Sequence, residues 1–413
     1  MSSKKLRLVV LCPHFAPDLA PTGVVMTRIV TELAARGHEL HVVTALPWYR
    51  NHAIEPGWGG RLWRTEKTEW GSIIRVHPFP GKSKSNLLRR ALGFIAFSYA
   101  VGIRSVHADG LPFKVDGVLA MSPPLTLGLT GWLTKIIRRA PLVFNIQDVF
   151  PDAAIQTGVI SNKKISAAAK WLERMSYQRS DAVVLLSQDL RANIANKIDK
   201  KFHQRLHVIP NFVDTIAVTP QDRMTAYRSE LGIGDQLVVM YAGNVGFSQS
   251  LNLVVDAAAK FPDIAFVING DGAARKKLEE DCAQLANVHF GDYQPIERLS
   301  EVLATGDIHV VPLRAGLASV SVPSKSYSIL AAGRPMLAAI DPDTEIPNML
   351  QQSGAGVAVE PDNSTAFIEG LSQLISRREQ LHEMGSRGRT WVETHASPAS
   401  VAAQYEAIFL ANR

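Results

Sequence analysis

The sequence has very little cysteine and no long run of apolar residues. Only Cys12 and Cys282 occur among its 413 residues, which excludes a disulfide framework and favours a reducing compartment. The apolar run near the N-terminus stops at Pro13 and is too short for the core of a signal peptide. No stretch reaches the roughly 20 apolar residues that a membrane-spanning helix needs. We therefore predict a cytoplasmic protein without a targeting or membrane-spanning segment.

The motifs of several common catalytic sites are also absent. The first loop has neither the GxGxxG spacing of a dinucleotide site nor the GxxxxGK[ST] of a P-loop, and no Gly-x-Ser-x-Gly nucleophile elbow occurs. The 12 histidines show no metal-ligand spacing, so we predict no metal site. Asp341-Pro342-Asp343 is an Asp-x-Asp pair, but aspartates around a proline are more typical of a turn. These absences count against dehydrogenases, P-loop ATPases and serine hydrolases.

The charge of the chain is divided unevenly between its halves. Hydrophobic residues make up 46% and charged residues 20%, which is an ordinary globular composition. The first 212 residues carry 29 Lys and Arg against 14 Asp and Glu, whereas the remaining residues carry 15 against 24. A basic first half beside an acidic second half indicates that the first half faces an anionic partner.

A strand–helix–strand pattern occurs once in each half. Residues 6–11, 24–36 and 39–44 form the first unit, and residues 237–242, 251–260 and 264–269 form the second. Short joints between strand, helix and strand indicate βαβ units and hence parallel sheets. We predict two doubly wound α/β domains, joined near residues 209–214 where the charge also changes sign.

Residues 13–23 connect the first predicted strand to the first predicted helix. Open α/β sheets bind ligands at the carboxyl ends of their strands, and the free N–H groups of a helix N-terminus attract anions. Gly23 would let the backbone approach such a ligand closely. An ordinary surface loop is the alternative interpretation.

Lys325 follows Ser324, a predicted helix N-cap. A cation in the first turn of a helix is unfavourable because of the helix dipole, unless an anion is bound there. A phosphate or diphosphate held by Lys325 and the helix amides fits this placement. A solvated lysine on an ordinary helix is the alternative.

Glycines and a carboxylate follow other predicted strands. Residues 243–246 and 269–272 are glycine-rich, and glycine permits a close approach of the backbone to phosphate or sugar. Asp148 ends the strand predicted before it, where a carboxylate can orient or deprotonate a hydroxyl. A capping role for Asp148 at the next helix is an equally good interpretation.

Residues 71–108 contain six basic residues and no acidic one. Basic residues beside a strongly apolar helix suit an anionic membrane surface or a lipid phosphate. The residues predicted to face the membrane are Lys82, Lys84, Arg89, Arg90 and Phe94. A core helix with a solvated basic end is the alternative. Nucleic acid is not expected, because no nucleic-acid-binding motif accompanies the charge.

The order and spacing of the motifs resemble the GT-B glycosyltransferases of family 4. The resemblance covers nearly the whole chain and is strongest for the colanic-acid and O-antigen branch, which includes fucosyl- and N-acetylfucosaminyltransferases. The segments that carry it are Pro21-Thr22-Gly23, Leu33-Ala34-Ala35-Arg36-Gly37-His38-Glu39, Met121-Ser122-Pro123-Pro124, Asn145-Ile146-Gln147-Asp148, Pro151-Asp152, Ile209-Pro210-Asn211, Gly243-Asn244-Val245-Gly246, Val322-Pro323-Ser324-Lys325 and Ala331-Ala332-Gly333-Arg334-Pro335.

The resemblance implies two Rossmann-like domains facing across a cleft. Residues 1–212 would bind the acceptor, residues 213–395 would bind the donor, and residues 396–413 would pack back on the first domain. The implied activity is a retaining, metal-independent hexosyl transfer from a UDP- or GDP-linked sugar to a lipid-linked glycan. Such a protein serves exopolysaccharide or O-antigen synthesis at the inner face of the cell membrane. No cofactor is expected besides the donor substrate.

The resemblance also assigns roles to individual residues. Lys325 would neutralise the donor diphosphate and Asp148 would orient the acceptor hydroxyl. The departing phosphate can take the proton of that hydroxyl, so no protein base is required. The donor-binding residues would be Gly23, Gly243, Asn244, Gly246, Gly270, Asp271, Gly272, Tyr293, Ser324, Lys325 and Glu345. The acceptor-binding residues would be His14, Thr22, Asp148 and Asp152.

The chain departs from the family pattern at the donor site. Asn244 and Gln249 stand where many relatives have an Arg and a Lys, and Val320 and Ser328 stand where many have glutamates. Glu345 is the substitute that we expect for the ribose-binding carboxylate. Two alternatives therefore stay open. One is a sugar-nucleotide epimerase of the same fold, and the other is a catalytically degenerate partner that binds nucleotide sugars.

Overall fold

The chain forms two compact units. The computed structural model describes residues 5–18, 20–50, 53–79, 87–108, 114–147, 162–318 and 322–413, with no side-chain description for residues 87–91. Unit 1 comprises Met1–Pro210 together with Val401–Arg413, and unit 2 comprises Asn211–Ser400. The division falls close to residue 212, where the sequence analysis places the joint.

Unit 1 is built on an eight-stranded sheet. Its strands are β1 (Arg7–Leu11), β2 (Glu39–Ala45), β3 (Trp63–Thr68), β4 (Gly71–Val76), β5 (Gly117–Ser122), β6 (Leu142–Ile146), β7 (Ala182–Leu185) and β8 (Leu206–Val208). Their order in the sheet is β3-β4-β2-β1-β5-β6-β7-β8. All neighbours are parallel except β3 and β4, which form an antiparallel edge. Strands β1, β2, β5 and β6 are nearly continuous buried runs, as expected for a parallel sheet covered on both faces.

The first helix begins earlier than the sequence predicts. The described helices of unit 1 are α1 (Pro21–Ala35), α2 (Leu87–Val106), α3 (Thr126–Arg138), α4 (Lys163–Arg179) and α5 (Gln188–Ala195), with a 3-10 turn at Lys200–Arg205. The prediction of residues 24–36 was wrong at its start, since α1 begins at Pro21. Proline suits a first helical position because its φ is already helical and its missing N–H would have no partner there. Thr22 and Gly23 therefore lie in the first helical turn and not in a loop.

Unit 2 is built on a six-stranded sheet that is parallel throughout. Its strands are β9 (Val238–Ala242), β10 (Ala265–Asn269), β11 (Val288–Gly291), β12 (Ile308–Pro312), β13 (Met336–Ala339) and β14 (Gly356–Val359). Their order is β11-β10-β9-β12-β13-β14. The described helices are α6 (Ala226–Glu230), α7 (Asn252–Lys260), α8 (Arg275–Asp281), α9 (Leu299–Thr305), α10 (Lys325–Ala331), α11 (Glu345–Ser353), α12 (Ser364–Ser376) and α13 (Leu381–His395), with 3-10 turns at Ile296–Arg298 and Arg378–Gln380. The prediction of one parallel α/β domain in each half is confirmed.

The last helix, α14 (Pro398–Ala411), packs on the sheet of unit 1 from Val401 onward. The Phe409 ring fills the space beside Gly117, where an added Cβ would lie 2.4 Å from the ring. The Asn145 amide donates to the Tyr405 hydroxyl at 2.5 Å. Arg36 Nε donates to the buried Glu406 carboxylate at 2.7 Å. These contacts connect the end of the chain to β5, β6 and α1.

Candidate functional site

Lys325, the first residue of α10, lies over the end of β9. Its Nζ atom is 3.9 Å from the centroid of the Tyr241 ring and donates a hydrogen bond to the Tyr241 hydroxyl at 2.8 Å. That hydroxyl donates in turn to the backbone oxygen of Asn244. Within the ranges that the structure describes, no acidic side chain forms an ion pair with Lys325. Burial lowers the pKa of Lys325 to about 7, because the ammonium loses water without gaining a carboxylate.

The two glycine-rich segments lie side by side at the carboxyl ends of β9 and β10. The Gly243 N–H donates to the Asn269 oxygen at 2.9 Å. A Cβ on Gly270 would stand 2.0 Å from the Gly243 oxygen, so the close approach that Gly270 permits is to the chain's own backbone. Gly243 differs, because a Cβ there would stand 3.1 Å from Lys325 Nζ. The absence of a side chain at Gly243 therefore leaves room for the ammonium.

Several of the other predicted donor-binding residues of unit 2 lie in these segments, and Tyr293 contacts one of them. Asn244, Asp271, Tyr293 and Ser324 have exposed side chains. The Tyr293 hydroxyl donates to the Asp271 backbone oxygen at 3.4 Å. The side chain of Asp271 accepts from the Gly272 N–H at 2.7 Å, and the Gly246 N–H donates to the Gln249 side chain at 3.0 Å. Ser324 occupies the predicted N-cap position of α10, but its hydroxyl makes no capping hydrogen bond.

Glu345 lies in the first turn of α11 and accepts a hydrogen bond from the Tyr327 hydroxyl at 3.3 Å. Tyr327 is a buried residue of α10, two positions after Lys325. Burial and the negative charge of Glu345 raise the pKa of Tyr327 well above its ordinary value. The hydroxyl therefore stays protonated and holds this carboxylate at α10.

Asp341 holds a loop together through its carboxylate. It accepts hydrogen bonds from the Gly316 N–H at 2.8 Å and from the Ala318 N–H at 3.2 Å. Asp343 has a φ of 59°, a conformation typical of tight turns. Among the residues of known placement, no group of three or more His, Cys, Asp or Glu side chains is arranged to hold a metal ion.

A polar and aromatic cluster lies at the carboxyl ends of β1 and β2 in unit 1. His14 Nδ1 is 2.7 Å from Asp18 Oδ2, and Asp18 Oδ1 accepts from the Tyr49 N–H at 3.3 Å. The His14 ring stacks on Trp48 with centroids 5.6 Å apart and meets Tyr49 edge-on at 5.4 Å. The His14 and Asp18 side chains are 11% and 1% exposed, so the accessible part of the pair belongs to His14.

Gly23 is needed at its position because His14 packs against the first turn of α1. A Cβ on Gly23 would stand 2.8 Å from the His14 Cβ and 3.2 Å from the Asp18 oxygen. Thr22, in the same turn, is half-buried. The amide groups of this turn have no carbonyl acceptor one turn earlier in the helix, as at every helix N-terminus.

The predicted acceptor residues Asp148 and Asp152 lie outside the described residues. The segment before them ends in a buried polar chain in which Gln147 Nε2 donates to Asn145 Oδ1 at 2.8 Å. Asn145 donates in turn to Tyr405 of α14. Polar side chains thus lie at and just after the end of strand β6.

The basic apolar segment divides between core and surface. Leu92, Ile95 and Tyr99 of α2 are 65%, 55% and 73% exposed, whereas Phe97 is buried and Phe94 is half-buried. Lys82 and Lys84 lie outside the described residues, as do the side chains of Arg89 and Arg90. Two other basic residues of the segment are engaged within unit 1. Arg75 is buried against Glu66, and Arg104 stacks on Trp63 at 3.8 Å. Among the helices of the described ranges, none combines the length and the apolar character needed to cross a membrane.

Several residues of these sites were not predicted from the sequence, among them Tyr241, Trp48 and Asp18. The sequence predicts only that Tyr241 lies near the end of an apolar strand. It does not show that the Tyr241 hydroxyl contacts Lys325. Trp48 lies far along the chain from the loop that it contacts. Asp18 follows His14 by four residues, a spacing that could have suggested the pair but is common in loops.

Both halves of the chain match families of known proteins. Residues 22–211 match the "Glycosyl transferase 4-like domain" and residues 224–391 match "Glycosyl transferases group 1". The putative colanic acid biosynthesis glycosyl transferase WcaI of Escherichia coli (strain K12) is 27% identical over 384 residues, covering 90% of this chain and 92% of that protein. The probable glycosyltransferase WbjE of Pseudomonas aeruginosa is 29% identical over 311 residues, covering 72% and 74%.

Solved structures of low sequence identity share the fold. A sucrose-phosphate synthase from Thermosynechococcus elongatus superposes with a TM-score of 0.70 at 15% identity, covering 98% of this chain and 100% of that one. HepE of Anabaena in complex with UDP and glucose superposes with a TM-score of 0.65 at 14% identity, covering 98% and 100%.

Proposed function

We propose that the chain is a GT-B glycosyltransferase that combines a glycosyl transferase 4-like domain with a group 1 domain, and that it builds a cell-surface polysaccharide. In this proposal unit 2 binds a nucleotide-sugar donor and unit 1 binds a lipid-linked glycan acceptor. The names of the relatives WcaI and WbjE support this direction. The fucosyl or N-acetylfucosaminyl specificity expected from the sequence remains part of the proposal.

The observation that carries the proposal is the Lys325 ammonium on Tyr241, which has no carboxylate partner among the residues that the structure describes. A charge that is buried without a counter-ion destabilises a protein, so such a group is typical of a binding site. A donor diphosphate would supply the missing anion, with room provided by Gly243. The complex of HepE with UDP concerns a protein of the same fold and makes UDP the first nucleotide to test.

We further propose that the transfer retains the anomeric configuration and needs neither a metal nor a cofactor. Lys325 would supply the positive charge that stabilises the departing diphosphate. Glu345 would hold the ribose hydroxyls of the donor, since its carboxylate is kept in place by Tyr327. Transfer that persists in EDTA, and a product with the anomeric configuration of the donor in its NMR couplings, are the results that this proposal requires.

The experiment that tests donor binding is a thermal-shift screen of the purified protein with UDP, GDP, ADP and NAD. A ligand at about 100 times its Kd adds about 2.7 kcal/mol of stability. A rise of the melting temperature with UDP or GDP alone supports a nucleotide-sugar transferase and selects the donors for later assays. A rise with NAD alone would contradict it.

Donor affinity is expected to fall as the pH rises above neutrality. Only the protonated form of Lys325 attracts the diphosphate, and its pKa in the free protein is lowered to about 7. Binding of the anion raises this pKa, so the complex takes up a proton and its affinity weakens with increasing pH by up to about tenfold per pH unit. Calorimetric titration with the nucleotide sugar, whose diphosphate does not titrate in this range, measures the slope. Lys325→Arg keeps the positive charge, so its donor affinity is expected not to change with pH in this range. A wild-type affinity that is equally independent of pH would contradict the assignment.

The exposed apolar residues of α2 are proposed to contact an anionic membrane. Leu92, Ile95 and Tyr99 recur at intervals of three and four residues and so share one helix face. The double variant Leu92→Asp, Tyr99→Asp is expected to weaken binding to vesicles that contain phosphatidylglycerol by about tenfold or more, because each change removes apolar burial. Ile216→Asp, at an equally exposed position of unit 2, is the control. Equal vesicle binding of all three proteins would exclude this face.

A further inference from the structure

We propose that Tyr241 is a positioning residue of the donor site, which holds the Lys325 ammonium ready for the donor diphosphate and leaves its charge unneutralised. The inference rests on the proposed transferase function and deepens it at the donor site. All of the residues that carry it belong to unit 2. It depends on the geometry around the Tyr241 hydroxyl at the end of β9.

A backbone oxygen determines how the Tyr241 hydroxyl is oriented. The Asn244 oxygen can only accept, so the hydrogen of the Tyr241 hydroxyl is directed to it. The Lys325 ammonium has only donors, and its Nζ lies 2.8 Å from the same hydroxyl oxygen. The lone pairs of that oxygen are therefore left for Lys325. The hydroxyl serves both partners in this one arrangement only.

The ring of Tyr241 holds the ammonium through a second contact. Nζ of Lys325 lies 3.9 Å from the ring centroid, well within the ~6 Å of a cation–π interaction. The hydroxyl oxygen and the ring face together fix the position of Nζ. A charged group that stabilises a ligand or a leaving group needs this kind of pre-set position.

Tyrosine orients the lysine without cancelling its charge. A carboxylate in the same place would form an ion pair with Lys325 and would repel a diphosphate. Burial raises the pKa of Tyr241 above its ordinary value, so its hydroxyl stays neutral. The positive charge of the protonated lysine is thus available to an anion.

Two of the three N–H donors of the ammonium remain for a ligand. Tyr241 accepts from one, and within the ranges that the structure describes Nζ of Lys325 has no other hydrogen-bond acceptor. A Cβ on Gly243 would stand 3.1 Å from Nζ, so at Gly243 the ammonium meets backbone and no side chain. A diphosphate oxygen can therefore accept from Lys325 while Tyr241 keeps its own hydrogen bond.

The pKa of Lys325 lies near neutrality, unlike those of the two buried tyrosines beside it. Burial lowers the pKa of Lys325 to about 7. Tyr327, on α10 itself, has a raised pKa and donates to Glu345 of α11. Tyr293, from the loop after β11, contributes to the raised pKa of Tyr241. The dependence of donor affinity on pH near neutrality therefore reports the proton of the lysine.

Tyr241→Phe is the sharpest test because it removes the hydroxyl and keeps the ring. The ammonium then loses its acceptor, so the pKa of Lys325 in the free protein falls further. We expect the affinity for UDP-glucose or GDP-mannose, whichever the wild type binds, to fall by about tenfold above neutral pH, because a smaller fraction of the lysine is protonated. The loss should shrink at about pH 5, where Lys325 carries its proton in both proteins. Tyr177→Phe is the matched control, since it removes a buried hydroxyl that bonds Glu173 in unit 1.

Three further measurements separate positioning from a structural role. Titration of the free protein by lysine-selective ¹³C NMR gives the pKa of Lys325 directly, with Lys325→Met identifying its signal. Tyr241→Phe added to Lys325→Met should lower the donor affinity no further, because Tyr241 acts through the lysine. In the wild type the Tyr241 ring should shift the Cε protons of Lys325 upfield, which tests the contact even where Tyr241→Phe does not fold.

The possible outcomes distinguish the inference from the proposed function. A lower pKa of Lys325 in Tyr241→Phe, an affinity that recovers at low pH and no further loss in the Lys325→Met background together support the inference. Unchanged Lys325 pKa and donor affinity in Tyr241→Phe, a loss that persists in the Lys325→Met background, or unshifted Cε protons in the wild type overturn the inference alone. A wild type that binds no UDP- or GDP-linked sugar overturns the proposed function, and the inference with it.

Discussion

Replacing Lys325 with alanine is expected to abolish sugar transfer while leaving the fold intact. The ammonium lies on Tyr241 at the predicted diphosphate site, and no carboxylate of the described residues pairs with it. Loss of one charge-assisted contact to a departing oxyanion costs about 10²- to 10³-fold in rate. Stability should not suffer, because burial of the ammonium, which lowers the pKa of Lys325, disfavours its charged form in the folded protein.

Lys277→Ala is the matched control for this variant. Lys277 lies on α8 of the same unit and pairs with Asp281 at 3.0 Å on the surface. The rate of transfer should be unchanged in Lys277→Ala and lost in Lys325→Ala, with the UDP- or GDP-induced thermal shift lost alongside. If Lys325→Ala transferred sugar at the wild-type rate, the donor site would have to be placed elsewhere.

Replacing Gly270 with alanine is expected to unfold unit 2 or to destabilise it by about 3 kcal/mol or more. Its φ of 139° is unfavourable for any residue with a Cβ. The added Cβ would also stand 2.0 Å from the Gly243 oxygen, which is backbone and cannot move without breaking the contact between the two glycine segments. The melting temperature and soluble yield of the purified variant measure the effect.

Gly232→Ala separates the effect of an unfavourable φ from the effect of a clash between the added Cβ and the backbone. Gly232 has a φ of 71° and nothing within 4 Å of the position of an added Cβ. It should therefore show only the cost of the backbone conformation, about 1–2 kcal/mol. Equal melting temperatures of the two variants would mean that the contact between the glycine segments contributes little.

The fold could be predicted because the apolar pattern of each strand is contained in the strand's own residues. Strands β9 and β10 match the predicted runs at residues 237–242 and 264–269 to within a residue, since both faces of a parallel strand are buried. The predicted start of α1 was wrong because Pro21, the first helical residue, directly follows a proline-rich loop and was assigned to that loop. Periodicity and composition do not distinguish a proline in a loop from a proline at the first position of a helix.

The site was predictable only in part, because its contacts join distant segments. Lys325 was found from a cation at a helix start, but its partner Tyr241 lies in another strand, and the pairing is a property of the tertiary fold. The same reason explains the basic segment of unit 1. The pairing of β3 with β4 brings the buried Arg75 side chain to Glu66, and the local sequence does not show this contact.

The measurement that tests the central claim most directly is the incorporation of labelled sugar into a bacterial lipid extract. UDP- and GDP-linked sugars are supplied in turn to the wild type and to Lys325→Ala. We predict that label enters the lipid fraction with the wild type and with donors of one nucleotide only, and not with the variant. Donor binding without incorporation from any donor would contradict a transferase and favour a degenerate nucleotide-sugar binder, and turnover of the donor to its epimer without acceptor would favour an epimerase.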